Sequence, residues 1–421
     1  MASKKVLGLT AATAALVLGL TACGNGDGDN GANGGGGGNG EAGEEFTFGI
    51  LYPQTGALAF LGPPQIEAAK YAISEINDAG GILGNDVPAI VEGDEAGDAA
   101  QANQAANDLV SADVNAVIGA AASSMTQASY DTITAAEIVQ CSGSNTAPDL
   151  TDIDDGGYYF RTAPSDLLSG PVLARQMIDD NHVDIAIVAR ADDYGDGYLR
   201  AVEEELEAQG ANVVTTESYD PDATNFASVI NSVTGEDPDA IALISFQEGA
   251  QVMAELIEAG IEGDQLYITD GLNDPELGET VNEDDPSVID GVTGVAPGAD
   301  NPEFNDGLRD FAPELDVFQF APQVFDCVTA IALAAEAAGS VNGSDYVEHL
   351  PEISRPEGTE CFSFAECRDL INDGEDIDFQ GTSGNIDFDD NGDPTAATFE
   401  VFHFGDDGYE TLGFEEYSAN E

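Results

Sequence analysis

From Phe46 onward the chain alternates short apolar runs with longer stretches of helical period. Phe48–Tyr52 is the first run. After it, Ile66, Ala69, Ile73 and Ile76 recur on one helical face. Asp78-Ala-Gly80-Gly81 then reads as a helix stop. The pattern predicts further strands at Val87–Val91, Val114–Ile118 and Ile138–Val139. Between them it predicts a helix opened by Asp98 as N-cap and another after Ser123-Ser124. A second block repeats the logic, with strands at Ile185–Val188, Val213–Thr216, Ile241–Ile244 and Leu266–Thr269. Its helices fall near 196–209, 223–234 and 248–259.

Short apolar strands spaced by amphipathic helices predict parallel sheets covered on both faces. Two blocks in series predict an α/β protein of two doubly wound lobes. Its length of 421 residues and 42% hydrophobic content exceed what one compact core usually holds. Ligands in such sheets bind beyond the carboxyl ends of the strands. The loops that matter are therefore 53–62, 119–126, 141–151, 190–197, 245–249 and 270–274.

Three of these loops in the first block are rich in hydroxyls: Thr55-Gly56, Ser123-Ser124 with Thr126, and Ser142-Gly-Ser144-Asn-Thr146. Hydroxyls beside a helix N-terminus suit a carboxylate. Helix capping alone explains one such serine but not three such loops. In the second block, Asp192-Asp193-Tyr194-Gly195 and Thr269-Asp270-Gly271 each follow a strand. A carboxylate there suits an ammonium group, although in so acidic a chain any single aspartate also reads as a solvated turn.

The N-terminus adds a targeting signal. Lys4 and Lys5 precede an apolar run, Val6–Leu20, too short to span a bilayer comfortably. The run ends in Leu20-Thr21-Ala22-Cys23, which resembles a bacterial lipobox. Residues 1–22 then read as a lipoprotein signal peptide and Cys23 as the lipidated residue. Residues 23–45, nearly all Gly, Asn, Asp, Ala and Glu, read as a flexible leash. Later stretches read as too short to span a membrane.

Charge excludes some partners. There are 81 acidic against 10 basic residues, for a net charge of −71, so nucleic acid is repelled. The acidity is spread along the whole chain, which reads as a solvated surface suited to strong salt and a halophilic source. Four cysteines remain after Cys23. Cys361 and Cys367 flank a short turn and are paired, leaving Cys141 with Cys327. The three histidines are isolated, and no metal site or cofactor motif is found. Asp387–Asp393 resembles the start of an EF-hand, but Thr398 stands where its bidentate glutamate belongs.

An ordered series of motifs carries a family resemblance: Ile50-Leu-Tyr-Pro-Gln-Thr-Gly56, Glu75-Ile-Asn-Asp-Ala-Gly-Gly-Ile-Leu-Gly84, Asn145-Thr-Ala-Pro-Asp-Leu-Thr151, Phe160-Arg-Thr-Ala-Pro-Ser-Asp166, Asp193-Tyr-Gly-Asp-Gly197 and Phe388-Asp-Asp-Asn-Gly-Asp393. The chain resembles the branched-chain amino acid-binding proteins, extracytoplasmic receptors of ABC importers with the type I periplasmic-binding fold. The resemblance implies two lobes joined by three crossovers around a ligand cleft. The crossings are expected near Arg161–Ser165, Gly271–Pro275 and after Gly384. Lobe 1 is then 46–162 plus 272–385, and lobe 2 is 163–271 plus 386–421.

It further implies a ligand set. Ser123, with Ser124, and Thr146 serve the α-carboxylate, and Ser144 contributes backbone. Tyr194 and Phe246 close from the second lobe, and Asp270 pairs with the ammonium. Family members often carry Glu and Tyr where this chain has Asp270 and Phe246. The implied function is capture of an amino acid by a lipid-anchored monomer that delivers it to ABC permease subunits. An amide or urea-like solute is the alternative ligand, and a secreted hydrolase or a sensory module the alternative class. A hydrolase needs a nucleophile with a base, and no such motif is found.

Overall fold

A computed structural model describes residues 45–418, except 57, 316, 406 and 407. The expected signal peptide, Cys23 and nearly all of the expected leash lie outside the described residues.

The first lobe is built on β1 (Phe48–Tyr52), α1 (Gly62–Asp78), β2 (Val91–Asp94), α2 (Ala99–Ser111), β3 (Ala116–Gly119), α3 (Ser123–Thr134), β4 (Val139–Ser142) and β5 (Tyr159–Arg161). Its five strands are all parallel, in the order β2-β1-β3-β4-β5. Strand β1 is buried along its whole length, as a sheet covered on both faces requires. Ile66, Ala69, Ile73 and Ile76 all lie buried on α1. Asp98 caps α2 as expected, accepting from the amides of Ala100 and Gln101.

One strand differs from expectation. Pairing with β1 begins only at Val91, where Gly49 meets it, and not at Val87. Val87 is tied instead to α1: its amide donates to Asn77 Oδ1 at 2.7 Å, and Asn77 Nδ2 donates to its carbonyl at 3.0 Å. Pro88 has no N–H to give a ladder.

The second lobe follows with α4 (Asp166–Asp179), β6 (Asp184–Arg190), α5 (Asp193–Gln209), β7 (Asn212–Tyr219), α6 (Ala227–Gly235), β8 (Ala240–Ile244), α7 (Gly249–Glu258), β9 (Leu266–Thr269), α8 (Leu277–Val281) and β10 (Thr293–Pro297). The chain then returns to the first lobe through α9 (Pro302–Phe311), α10 (Ala321–Ala338), α11 (Gly343–Tyr346), β11 (Thr359–Cys361), α12 (Phe364–Asp373), β12 (Ile377–Gly381) and β13 (Gly384–Asn385). It ends in the hairpin β14 (Ala396–Gly405) and β15 (Gly408–Ser418).

The second sheet has seven strands in the order β15-β14-β10-β9-β8-β6-β7. Strands β6 to β10 are parallel, and the β14–β15 hairpin adds two antiparallel strands at one edge. This corrects the expected boundaries. β10 pairs with β9 on one side and β14 on the other, so residues 272–297 stay with the second sheet. The second crossing therefore lies between Pro297 and Pro302, not at 271–275. The first and third crossings run from β5 to α4 and from β13 to β14, near their expected places.

Helix α10 is apolar and long enough by composition to cross a membrane, contrary to the reading that later stretches are too short. It is 72% buried inside the protein and packs on α1, β3 and β4, so it is a core helix. Its Cys327 is bridged to Cys141 of β4, and Cys361 to Cys367 across the β11–α12 turn.

Candidate functional site

The loops leaving the carboxyl ends of β3 and β4 face those leaving β6, β8 and β9. Gly119 makes the exit of β3 tight. Its φ is +117°, and a Cβ there would sit 2.2 Å from the carbonyl oxygen of Leu51. Asn145 binds this loop to the next one. Its Nδ2 donates to the carbonyls of Ala120 and Ala121 at 3.1 and 2.9 Å, and its Oδ1 accepts from Thr126 and Tyr159.

Ser123 opens α3, is buried, and accepts from the amide of Ala147 at 3.2 Å. Ser124 follows it, half-buried. The Ser144 hydroxyl donates to the Ala121 carbonyl at 2.9 Å, so that side chain fixes the loop. Thr146 is buried next to these groups.

Beneath the loop lies Arg161, with no exposed surface. Nε and Nη2 grip the two oxygens of Asp393 at 2.6 and 2.7 Å, and Nη1 donates to the Asn145 and Ala147 carbonyls. The same guanidinium therefore ties the first crossing to the third and holds the hydroxyl loop from below. Asp393 is thereby occupied. Asp389 accepts from the Asn391 and Asp393 amides, and Phe388 bridges to Pro394. The EF-hand-like stretch is a hairpin turn. Among the described residues no group of three or more His, Cys, Asp or Glu is arranged for a metal ion.

On the second lobe, Asp192 caps α5 and sets Tyr194 inward, buried. The Tyr194 hydroxyl donates to Asp270 Oδ1 at 2.9 Å and lies 2.7 Å from Thr269 Oγ1. Its ring stacks on Phe246 at 4.9 Å between centroids and 9° between planes, and the Arg190 guanidinium lies over the Phe246 ring at 4.0 Å. Arg190 is itself fixed by Asp192 and Glu248. The lobes touch here: Phe60 meets Phe246 edge-on, and Gln319 Nε2 donates to the Asp270 carbonyl.

One acid escaped the sequence reading as a site residue. Asp166, at the first turn of α4, has no exposed surface, and neither carboxyl oxygen has a hydrogen-bond partner. The Thr146 hydroxyl lies beside it, and Asp270 lies close enough to raise it. Burial, then the Asp270 charge, pushes the Asp166 carboxyl well above the usual range. Burial likewise pushes Asp270 up to about 7, against the Tyr194 hydrogen bond. The motif Phe160–Asp166 was visible as sequence. That its last residue faces Asp270, 104 positions on, is a fact of the fold.

Asp166 and Asp270, buried beside two hydroxyls and an aromatic wall, with Arg161 acting on Asp166 but engaged by Asp393, make surroundings that favour a group carrying positive charge. The amide-rich start of α3 beside them suits a negative one. The histidines stand elsewhere. His182 and His403 line a separate cavity with Asp180, Asp264 and Tyr267, and His349 pairs with Glu352.

Comparisons with known proteins agree with this architecture. The Leu/Ile/Val-binding protein of Escherichia coli is 30% identical over 223 residues, covering 52% of this chain and 60% of that protein. The chain thus spans about 60% of the length of that relative. A leucine-, isoleucine-, valine-, threonine- and alanine-binding protein of Pseudomonas aeruginosa is 25% identical over 384 residues, covering 88% of this chain and 92% of that one. The fold matches a branched-chain amino acid transporter substrate-binding protein of Streptococcus pneumoniae, solved with isoleucine. The TM-score is 0.73 at 21% identity, over 89% of this chain and 100% of that one. A leucine-binding protein of Thermotoga maritima gives 0.74 at 16% identity, over 89% and 99%. The family model described as the receptor family ligand binding region matches residues 65–407, and the chain belongs to that family.

Proposed function

We propose that this protein is the extracytoplasmic solute receptor of an ABC importer, that it captures an amino acid between its lobes, and that it delivers it to the permease. The observation that carries this reading is the juxtaposition of Thr146, Asp166, Asp270 and Tyr194 across the cleft, beside the N-terminus of α3. An amino acid entering there brings one charge of each sign. Ser123, Thr146 and the amides at the start of α3 serve the carboxylate. Asp270 and Asp166 serve the ammonium, with Tyr194 orienting Asp270. Ser124 stands next to Ser123, Ser144 shapes the loop, and Phe246 closes from the second lobe. Both lobes then contact the same molecule, which stabilises the closed form. The names of the relatives favour a branched-chain side chain.

In this reading the site holds the ligand without transforming it. The chain is exported and held at the membrane by lipid on Cys23, with residues 24–45 as a leash. Replacing Cys23 by Ser releases the protein or leaves it unprocessed. A mutant that stays processed and membrane-bound refutes the anchor. For the ligand, the protein is purified from its host and denatured, and the released solute is identified by mass spectrometry. Calorimetric titration with that solute follows. Recovery of an α-amino acid supports the reading, and recovery of an uncharged amide overturns it.

A further inference from the structure

Behind the hydroxyl loops of the first lobe lies an acid that the capture of an amino acid does not use directly. β2 ends on Asp94 and Glu95 follows it, two neighbouring acids with opposite fates. Asp94 accepts from the amides of Gln54, Thr55 and Ala96 and from the Thr55 hydroxyl, which holds its carboxyl below the usual range. Glu95 turns inward and has no exposed surface. One of its oxygens accepts from the amide of Ala121 at 3.0 Å, and the amide of Ala122 also faces it. The other oxygen has no partner.

Ala121 and Ala122 immediately precede Ser123, the first residue of α3. Glu95 therefore occupies the rear of the helix start whose front is the carboxylate cradle. The titratable groups facing it are Asp94 from its own strand and the Tyr52 hydroxyl of β1, itself buried and unpartnered. Among the described residues no cation offsets a charge there. A buried carboxyl in such surroundings holds its proton, and burial raises this one to about 8.

We propose that Glu95 is a positioning residue that couples ligand capture to a proton: as a neutral acid it fixes the Ala121–Ala122 amides behind the cradle, and once ionised it repels the ligand carboxylate. This rests on the reading that the start of α3 receives that carboxylate. Two anions on either side of one helix start, both out of water, oppose each other. A bound carboxylate therefore drives Glu95 further toward its neutral form. Capture in alkaline solution takes up a proton, and affinity falls by up to about tenfold per pH unit above the titration point of the free protein.

The probe is L-leucine, titrated calorimetrically into the wild-type chain and Glu95→Gln between about pH 7 and pH 9, in buffers of differing ionisation heat. The wild type loses about tenfold in affinity over that range beyond any loss in Glu95→Gln, and near pH 8.5 its proton count on binding exceeds that of Glu95→Gln by up to about one. Titration of the leucine ammonium affects both proteins alike and cancels in the ratio. The Asp166–Asp270 pair has the opposite sign, because an arriving ammonium expels its proton. Parallel pH profiles, or the same proton count for the wild type and Glu95→Gln, overturn the proposal.

Failure of leucine to bind either protein at about pH 7 speaks against the amino acid reading instead. A ligand-free measurement then tests Glu95. Between about pH 4.5 and pH 8 the unfolded chain is ionised at this position while the folded chain is protonated, so stability falls as pH rises. The wild type should melt progressively lower than Glu95→Gln across that window. A constant gap overturns the neutral acid.

Discussion

Asp270→Asn should make the ligand-free protein more stable and nearly abolish capture of an amino acid. Asp270 and Asp166 are buried together; Arg161 acts on Asp166 but is itself paired with Asp393, and no cation is set against Asp270. Raising Asp270 from 3.8 to about 7 is a shift of about three units, or a ceiling of ~4 kcal/mol at ~1.36 kcal/mol per unit. The sign follows from proton binding. Between about pH 4 and pH 7 the unfolded chain is ionised while the folded pair holds its proton, so wild-type stability falls as pH rises through that window. Asparagine keeps an oxygen for the Tyr194 hydroxyl and removes the charge. Chemical denaturation in molar KCl should therefore show a gain of about 1–4 kcal/mol near pH 7.5 and a much smaller gain near pH 5. Calorimetric titration of the same variant should show the opposite effect on binding. Leaving the ammonium without its partner costs about 2–5 kcal/mol, or roughly 30-fold to several thousand-fold in affinity. A variant destabilised near pH 7.5, or stabilised equally at both pH values, refutes the charge argument. Unchanged affinity refutes the assignment of the ammonium to Asp270.

Other groups give independent checks. Asp393→Asn strips the buried Arg161 of its bidentate partner and should cost about 3–5 kcal/mol in chemical denaturation; a loss below about 1 kcal/mol would show that Arg161 is held well enough by the Asn145 and Ala147 carbonyls. Removing the Cys141–Cys327 bridge, which closes 186 residues, should cost about 5 kcal/mol, against about 2 kcal/mol for Cys361–Cys367, which closes six. Equal losses from the two Cys→Ser pairs would contradict the loop-entropy account. A chain of net charge −71 should melt at steeply rising temperature from dilute buffer to molar KCl, because salt screens its self-repulsion; a flat profile in scanning fluorimetry would remove the argument for a halophilic source.

Local pattern determined much of this protein. Alternation of apolar runs and helical periods is a short-range property, so the two lobes, most parallel strands, the Asp98 cap and the strand-end loops were legible without coordinates. Cysteine spacing was enough to pair the bridges. Tertiary structure decided whatever depended on partners far along the chain. Val87 gave up its place in a strand to the side chain of Asn77. β10 joined the second sheet because β14, about a hundred residues later, lies along its other edge, which moved the second crossing past Pro297. The core role of α10 lies in what packs around it, since its composition also suits a membrane. Among the candidate site residues, Asp270, Tyr194 and Thr146 were named through the family resemblance, on loops that follow strands. Asp166 and Glu95 were not, because an aspartate after a serine, or a second acid at a strand end, looks like any solvated turn in so acidic a chain. Their chemistry comes from desolvation and from neighbours brought in by folding, and neither is written in local sequence.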